Sequence, residues 1–152
     1  MMIQKLKKFC LNAAGTQSNL GDVGLLILRV AFGLTMAFSH GMGKTPPSDR
    51  FIEIVGEMGF PFAAFFAWMA SLSESIGGIL IACGLLTRPA AFLLLQTMLV
   101  AAFMKHAGDP FSKMESALLF ASFSLSIMMT GAGKWSVDAY VWNQGKDNTS
   151  TP

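Results

Sequence analysis

The stretch Met69-Ala-Ser-Leu-Ser-Glu74-Ser-Ile-Gly77-Gly78-Ile-Leu-Ile-Ala-Cys83-Gly84-Leu-Leu-Thr87-Arg88-Pro89-Ala-Ala91 decides the fold. It is an apolar run long enough to cross a bilayer, with a single carboxylate, Glu74, well inside it. A charge at that depth costs roughly 3 kcal/mol on insertion scales, so Glu74 turns from lipid into a protein interior and needs a partner there. Helical spacing outward from Glu74 gives Ala63, Ala67 and Ala70 on one side and Gly77 and Gly78 on the other. Small residues in a stripe let a neighbouring helix approach backbone to backbone. The run ends at Gly84-Leu-Leu-Thr-Arg88-Pro89, a short turn into the next span.

Composition extends this reading to the whole chain. With 152 residues, 53% hydrophobic and only 13% charged, it is greasier than a soluble domain of its size. A net charge of +2, with basic residues gathered only at the N-terminus, argues against nucleic acid as a partner. Cys10 and Cys83 form neither a Cys-x-x-Cys pair nor a metal spacing, and the eleven methionines are scattered as packing residues rather than as a copper site. The expected fold is all-α: an integral membrane four-helix bundle over residues 21–143. A cytoplasmic amphipathic segment over 1–20 precedes it, and a disordered tail over 144–152 follows.

The first span runs from about Asp22 to Gly41, with Arg29, Gly33, His40 and, slightly off axis, Lys44 on one face. Pro46-Pro47 then turns the chain into a short amphipathic surface helix near Asp49–Met58. The second span covers about Pro61 to Leu86, and the third about Pro89 to Ala107 with Gln96 at its middle. The fourth runs from about Met114 to Gly131 and carries a polar stripe of Glu115, Ser122 and Ser126. Trp135, Tyr140 and Trp142 suit an interfacial aromatic belt. Lys5, Lys7 and Lys8 are followed by no uninterrupted apolar core, which argues against a cleaved signal peptide. Four spans place both termini on one side. The lysines at 5, 7, 8, 134 and 146 with Arg88, against Lys44, Arg50, Lys105 and Lys113 opposite, make that side cytoplasmic.

The polar groups within this topology fall into two layers. Arg29 and Glu74 both count to roughly 10–18 Å from their cytoplasmic ends, so the deeper layer is expected to be an Arg29–Glu74 ion pair. Its plainer role is to fix helix packing; its sharper one is to hold protons or grip an anionic or quinone-like ligand. The outer layer is His40, Lys44, Lys105, His106 and Glu115, which would make a water-accessible pocket exchanging protons near neutral pH. Bis-histidine haem would need His40 and His106 to face each other across the bundle, and their rim positions argue against it.

The combination of Leu28-Arg29 and Gly33, His40-Gly41 through Lys44, Glu74-x-x-Gly77-Gly78, Gly84-Leu-Leu-Thr-Arg88, His106, Glu115 and Gly131-Ala-Gly-Lys-Trp-Ser-Val-Asp138 resembles the DoxX family of small bacterial inner-membrane proteins. The resemblance spans about Gly21 to Tyr140. It implies a four-helix membrane bundle in the bacterial inner membrane and an oxidoreductase or oxidoreductase-complex role; relatives include the small subunit of thiosulfate:quinone oxidoreductase. Two functions of different class follow. In one, the chain is a redox-linked subunit that receives a quinone, with Arg29, Glu74 and Lys44 at the head group and His40, His106 and Glu115 as the proton-handling, catalytic set. In the other, it is a non-catalytic anchor or assembly factor for a soluble redox enzyme or a second copy of itself.

Overall fold

The structure, a computed structural model, describes residues 19–141. Within them every regular element is helical. A proline-free apolar sequence forms one helical column from Asn19 to Lys44. Its parts are α1 (Asn19–Thr35), a π-helical stretch (Met36–Gly41) and a 3-10 turn (Met42–Lys44). The Met42 N–H reaches back to the Ala37 carbonyl, one residue farther than in an α-helix, and this wider turn rotates everything beyond it. Pro46-Pro47 then forbids continuation. Helix α2 (Asp49–Glu57) starts at Ser48, whose hydroxyl accepts the Phe51 N–H at 3.3 Å, a cap contributing about 1 kcal/mol. It buries Val55 and leaves Asp49, Arg50, Glu53 and Glu57 exposed.

Helix α3 (Ala63–Cys83) follows, then α4 (Thr87–Val100) with a second π-helical stretch (Ala101–Lys105), and α5 (Phe111–Thr130). The α1 column lies against α3, α3 against α4, and α4 along α5. On the remaining side Phe32 of α1 stacks on Phe123 of α5 at 4.3 Å and tilts against Phe120 at 5.3 Å. The small-residue stripe does what its spacing predicts, for α1 and α3 touch backbone to backbone. A Cβ on Gly33 would run into the Gly78 carbonyl oxygen, and one on Gly41 into the backbone of Ser75. These contacts fix an antiparallel register in which Gly33 meets Gly78 and Gly41 meets Glu74–Ser75.

Burial is inverted relative to a water-soluble domain. Asp22, Arg29, Ser71, Glu74, Thr87 and Asp138 are buried, whereas Ile27, Phe38, Phe65, Leu119 and Met129 stand exposed. In water such an apolar exterior would be a liability; in a bilayer it is the lipid-facing surface. Three helical columns are long and apolar enough to cross a membrane: Asn19–Lys44, Ala63–Cys83 and Thr87–Lys105. They correspond to the first three expected spans, each shifted by a few residues at its ends.

Helix α5 is more polar, with Lys113, Glu115 and five serines, and the inward polar stripe expected of it is not there. Ser122, Ser126 and Thr130 are exposed and donate to the carbonyls of Leu118, Ser122 and Ser126 of their own helix. A hydroxyl satisfied by its own i−4 carbonyl needs no partner across the interface. Trp135 and Tyr140 are both 64% exposed, as belt residues should be. The lysine-rich segment 1–18, Trp142 and the tail, and with them the 143/144 boundary, lie outside the described residues.

Candidate functional site

The polar groups do gather into two layers, but with different membership. Gly84 adopts φ 72°, the left-handed conformation that favours glycine, and ends α3. The chain turns immediately into α4, whose first N–H groups need acceptors. Asp138, reaching back from beyond α5, supplies them: its carboxylate accepts the Leu86 N–H at 2.8 Å and the Thr87 N–H at 3.0 Å. The Asp138 N–H donates in turn to the Gly84 carbonyl at 2.8 Å. Arg29 packs its guanidinium against Gly84, where a Cβ would coincide with Nη1, and donates from Nη2 to the Trp135 carbonyl at 2.7 Å. Lys134 completes the layer with Asp22 at 3.0 Å. The Gly131–Asp138 motif thus folds under the ends of α1, α3 and α4 and ties them together.

Arg29 therefore does not pair with Glu74. It is level with Gly84, ten residues farther along α3, which at 1.5 Å per residue separates the two charges by about 15 Å along the axis. Counting depth from each span's own end brought them falsely together because the ends are not level: Arg29, ten residues into α1, lies beside the glycine that ends α3.

Glu74 pairs instead with Lys44, whose Nζ donates to both carboxylate oxygens at 2.6 and 2.9 Å. The chain positions this lysine firmly. Ser71 donates to the Lys44 carbonyl at 2.8 Å, and Thr45 donates to the Gly41 carbonyl at 3.0 Å and to Ser75 Oγ at 3.2 Å. The Glu74 side chain is 3% exposed and that of Lys44 34%, so the carboxylate is sealed in while the ammonium looks into an open space.

That space is a cavity of about 380 Å³ roofed by α2 and walled by α3 and by α4 with its π-helical extension. Phe51, Val55, Phe60, Phe65 and Phe66 make it largely apolar. Its polar lining is Lys44, Glu74, Ser73 hydrogen-bonded to Thr97 at 2.7 Å, Gln96 and Lys105. Both π-helical stretches border it, since Lys44 ends the 3-10 turn that follows the first and Ala101 and Lys105 lie on the second. Wide turns of this kind recur at functional sites because they re-aim side chains. The sequence had already set Lys44 and Lys105 in one outer layer. It left out Ser73, Thr97 and the phenylalanines; the run Ser71-x-Ser73-Glu74-Ser75 inside an apolar span was the available signal.

The remaining residues of the expected outer pocket do not line this cavity. The His40 ring lies edge-on to Phe120 at 5.1 Å, with Nδ1 buried and unbonded. His106 Nδ1 meets Asp109 Oδ2 at 2.9 Å in the α4–α5 turn. That bond, with Lys113 nearby, holds the Asp109 carboxyl below the usual carboxylate range. Glu115 is exposed on the first turns of α5. The rotation introduced by Met36–Gly41 is the physical reason His40 and Lys44 part company, one toward α5 and the other toward α3.

The DoxX family profile matches residues 24–107. A Bacillus subtilis (strain 168) protein named "Putative oxidoreductase CatD" is 31% identical over 128 residues, covering 84% of this chain and 92% of the relative. No solved structure matches the chain. The chain belongs to the DoxX family and is a multi-pass membrane protein.

A thermodynamic cycle probes the pair. Lys44→Met strands a sealed carboxylate and should cost about 3–5 kcal/mol of stability in detergent, and the Lys44→Met/Glu74→Gln double variant should cost clearly less than the sum. Arg29→Met and Glu74→Gln should instead add to within about 0.5 kcal/mol. Additivity at Lys44–Glu74, or coupling at Arg29–Glu74, would reverse the assignment.

Proposed function

We propose that this DoxX-family protein is a redox-linked membrane subunit whose cavity binds a quinone-like ring. The observation that carries the reading is one charged pair, Lys44–Glu74, presenting its ammonium to an apolar chamber walled by phenylalanines. Largely apolar pockets of this size with a few convergent polar groups are the usual form of small-molecule sites. The phenylalanines sandwich a flat ring. Lys44 donates to a carbonyl oxygen and stabilises negative charge developing there, while Glu74 holds the lysine in place. The Ser73–Thr97 hydroxyl pair and Gln96 offer donors and acceptors elsewhere on the wall. Quinone reduction takes up two electrons and two protons. The electrons come from a partner redox enzyme, and the protons enter at the rim, where Lys105 precedes His106 and its Asp109 partner. His40 and Glu115 receive no step.

The relative's name, which includes "oxidoreductase", agrees with this class of chemistry. A second reading, a membrane anchor recruiting a soluble partner, rests on the charged outer face of α2, where Asp49, Arg50, Glu53 and Glu57 are exposed.

The same proposal makes α5 a fourth span, completing a four-helix bundle in the bacterial inner membrane. Its twenty residues cover about 30 Å, and Ser122, Ser124, Ser126 and Thr130, the hydroxyls of its later turns, are satisfied internally, as hydrocarbon requires. Both termini are then cytoplasmic, placing Arg88 and Lys134 inside and Lys44, Arg50, Lys105 and Lys113 outside. Cysteines at Ser48 and Ser112 should react with an impermeant thiol reagent on intact spheroplasts, while one at Arg88 should react only after lysis. The opposite labelling would invert the topology, and labelling of a cysteine at Lys134, beyond α5, on intact spheroplasts together with Ser48 and Ser112 would remove α5 from the membrane.

For the ligand, the purified protein should co-extract quinone and rebind it on titration. Lys44→Met should weaken rebinding at least about tenfold, the equivalent of one charge-assisted hydrogen bond. Ala70→Phe, which fills the chamber, should abolish it. A well-folded wild-type protein that neither carries nor takes up quinone would leave only the anchor.

A further inference from the structure

We infer that the cavity is entered sideways from the bilayer, through an opening between α3 and α4, and that Gln96 receives the polar head of a long-tailed, membrane-dissolved ligand at that opening. The inference takes the class of head group from the reading above; the route of entry stands on geometry alone.

The open side of the cavity is identified by residues that line it and are also exposed. These are Phe65 and Met69 on α3, Leu93 and Gln96 on α4, and Lys105 at the end of its π-helical extension; four of the five lie together between α3 and α4. Helix α2 roofs the chamber by packing on α3, with Phe51, Val55 and Met58 turned inward, and leaves the α4 side uncovered.

The depth of this opening decides what reaches it. Gln96 is the middle residue of the column Thr87–Lys105, so about 14 Å of helix lies on either side of it. The Ser73–Thr97 hydrogen bond and the approach of Gly77 to Ala90 place the middle of α3 at the same level. An opening at that level faces acyl chains, not water. Entry from the aqueous end would have to pass between two lysines, Lys105 at the rim and Lys44 at its corner with Phe51, where the ammonium sits 5.8 Å from the ring centroid.

Gln96 supplies the second observation. It is exposed, and its amide has no hydrogen-bond partner among the described residues. An unpaired amide in hydrocarbon is costly because no water is at hand, so polar side chains at this depth are found bonded. A carbonyl or hydroxyl arriving through the opening provides that bond. From there the polar groups continue inward as Thr97–Ser73 and then Lys44–Glu74, while the rest of the wall is apolar. The sequence of contacts suits a flat head with oxygen atoms that advances into the chamber while its tail remains among the lipids.

The test uses the full chain in nanodiscs with a single tryptophan on the roof, Phe51→Trp, in a background where Trp68, Trp135 and Trp142 are phenylalanine. Phe92→Trp, on the exposed face of α4, sets the quenching reached in open lipid. Phospholipids brominated along their acyl chains should quench Phe51→Trp to an extent comparable with that control, and aqueous iodide should leave it nearly unquenched. Met58→Trp gives the same readout from the same roof if Phe51→Trp does not fold. Quenching by iodide without quenching by brominated lipid would overturn lateral entry.

Added long-tailed ubiquinone should shield the tryptophan from brominated lipid, and Gln96→Leu should raise the concentration needed by about threefold to tenfold, the loss of one hydrogen bond. An unchanged concentration would overturn the role of Gln96. Lipid quenching that ubiquinone fails to relieve would leave the lateral opening standing and remove the quinone reading instead.

Discussion

A carboxylate in the middle of an apolar helix is tolerated only with a cation beside it, and the pairing of Glu74 with Lys44 satisfies that requirement here. Much of the half of the protein that holds this pair follows from it. The α1 column has to run 26 residues, beyond the length a span needs, to bring Lys44 alongside α3. Its π-helical stretch turns the lysine toward Glu74, and the Ser71 and Thr45 hydrogen bonds hold the end of the column there. The close approach at Gly33, Gly41 and Gly78 fixes the register that makes the pair reachable. Because the carboxylate is sealed and the ammonium is not, the same contact that permits burial also presents a positive charge to the cavity.

At the other end a separate arrangement closes the protein. Asp138 caps α4, and Arg29 lies between Gly84 and the Trp135 carbonyl. The Asp138 carboxylate spends both oxygens on backbone N–H groups that would otherwise be orphaned at a tight helix–helix turn. None of this layer's side chains lines the cavity between α2, α3 and α4, whereas Lys44 does.

How much of this was legible in the sequence differs by level. The apolar runs placed three spans to within a few residues, and the small residues around Glu74 announced a close helix contact. Glu74 was correctly seen to need a partner, yet the partner was misidentified. Depth counted from each span's own end takes the ends to be level, whereas Arg29, ten residues into α1, lies beside Gly84 at the end of α3, and the same stagger brings Lys44 alongside Glu74. The serines of α5 misled in another way, since a hydroxyl bonded to its own helix looks in sequence like one reaching for a neighbour. The cavity was beyond reach from periodicity, because its walls come from α2, α3 and α4 together and only their packing encloses it. Gln96 stood out as a polar residue at mid-span, but its exposure beside an opening is a tertiary fact.

The pairing of Glu74 is the point on which the account turns, and solid-state NMR reads it directly. Protein in lipid bilayers would carry ¹³C at glutamate side-chain carboxyls and ¹⁵N at either lysine Nζ or the arginine guanidinium nitrogens. The Glu74 carboxyl signal would be assigned by its loss in Glu74→Gln. Dipolar dephasing of that signal by lysine nitrogen, with none by arginine nitrogen, is the predicted result. Dephasing by arginine and not by lysine would contradict it and return Glu74 to Arg29.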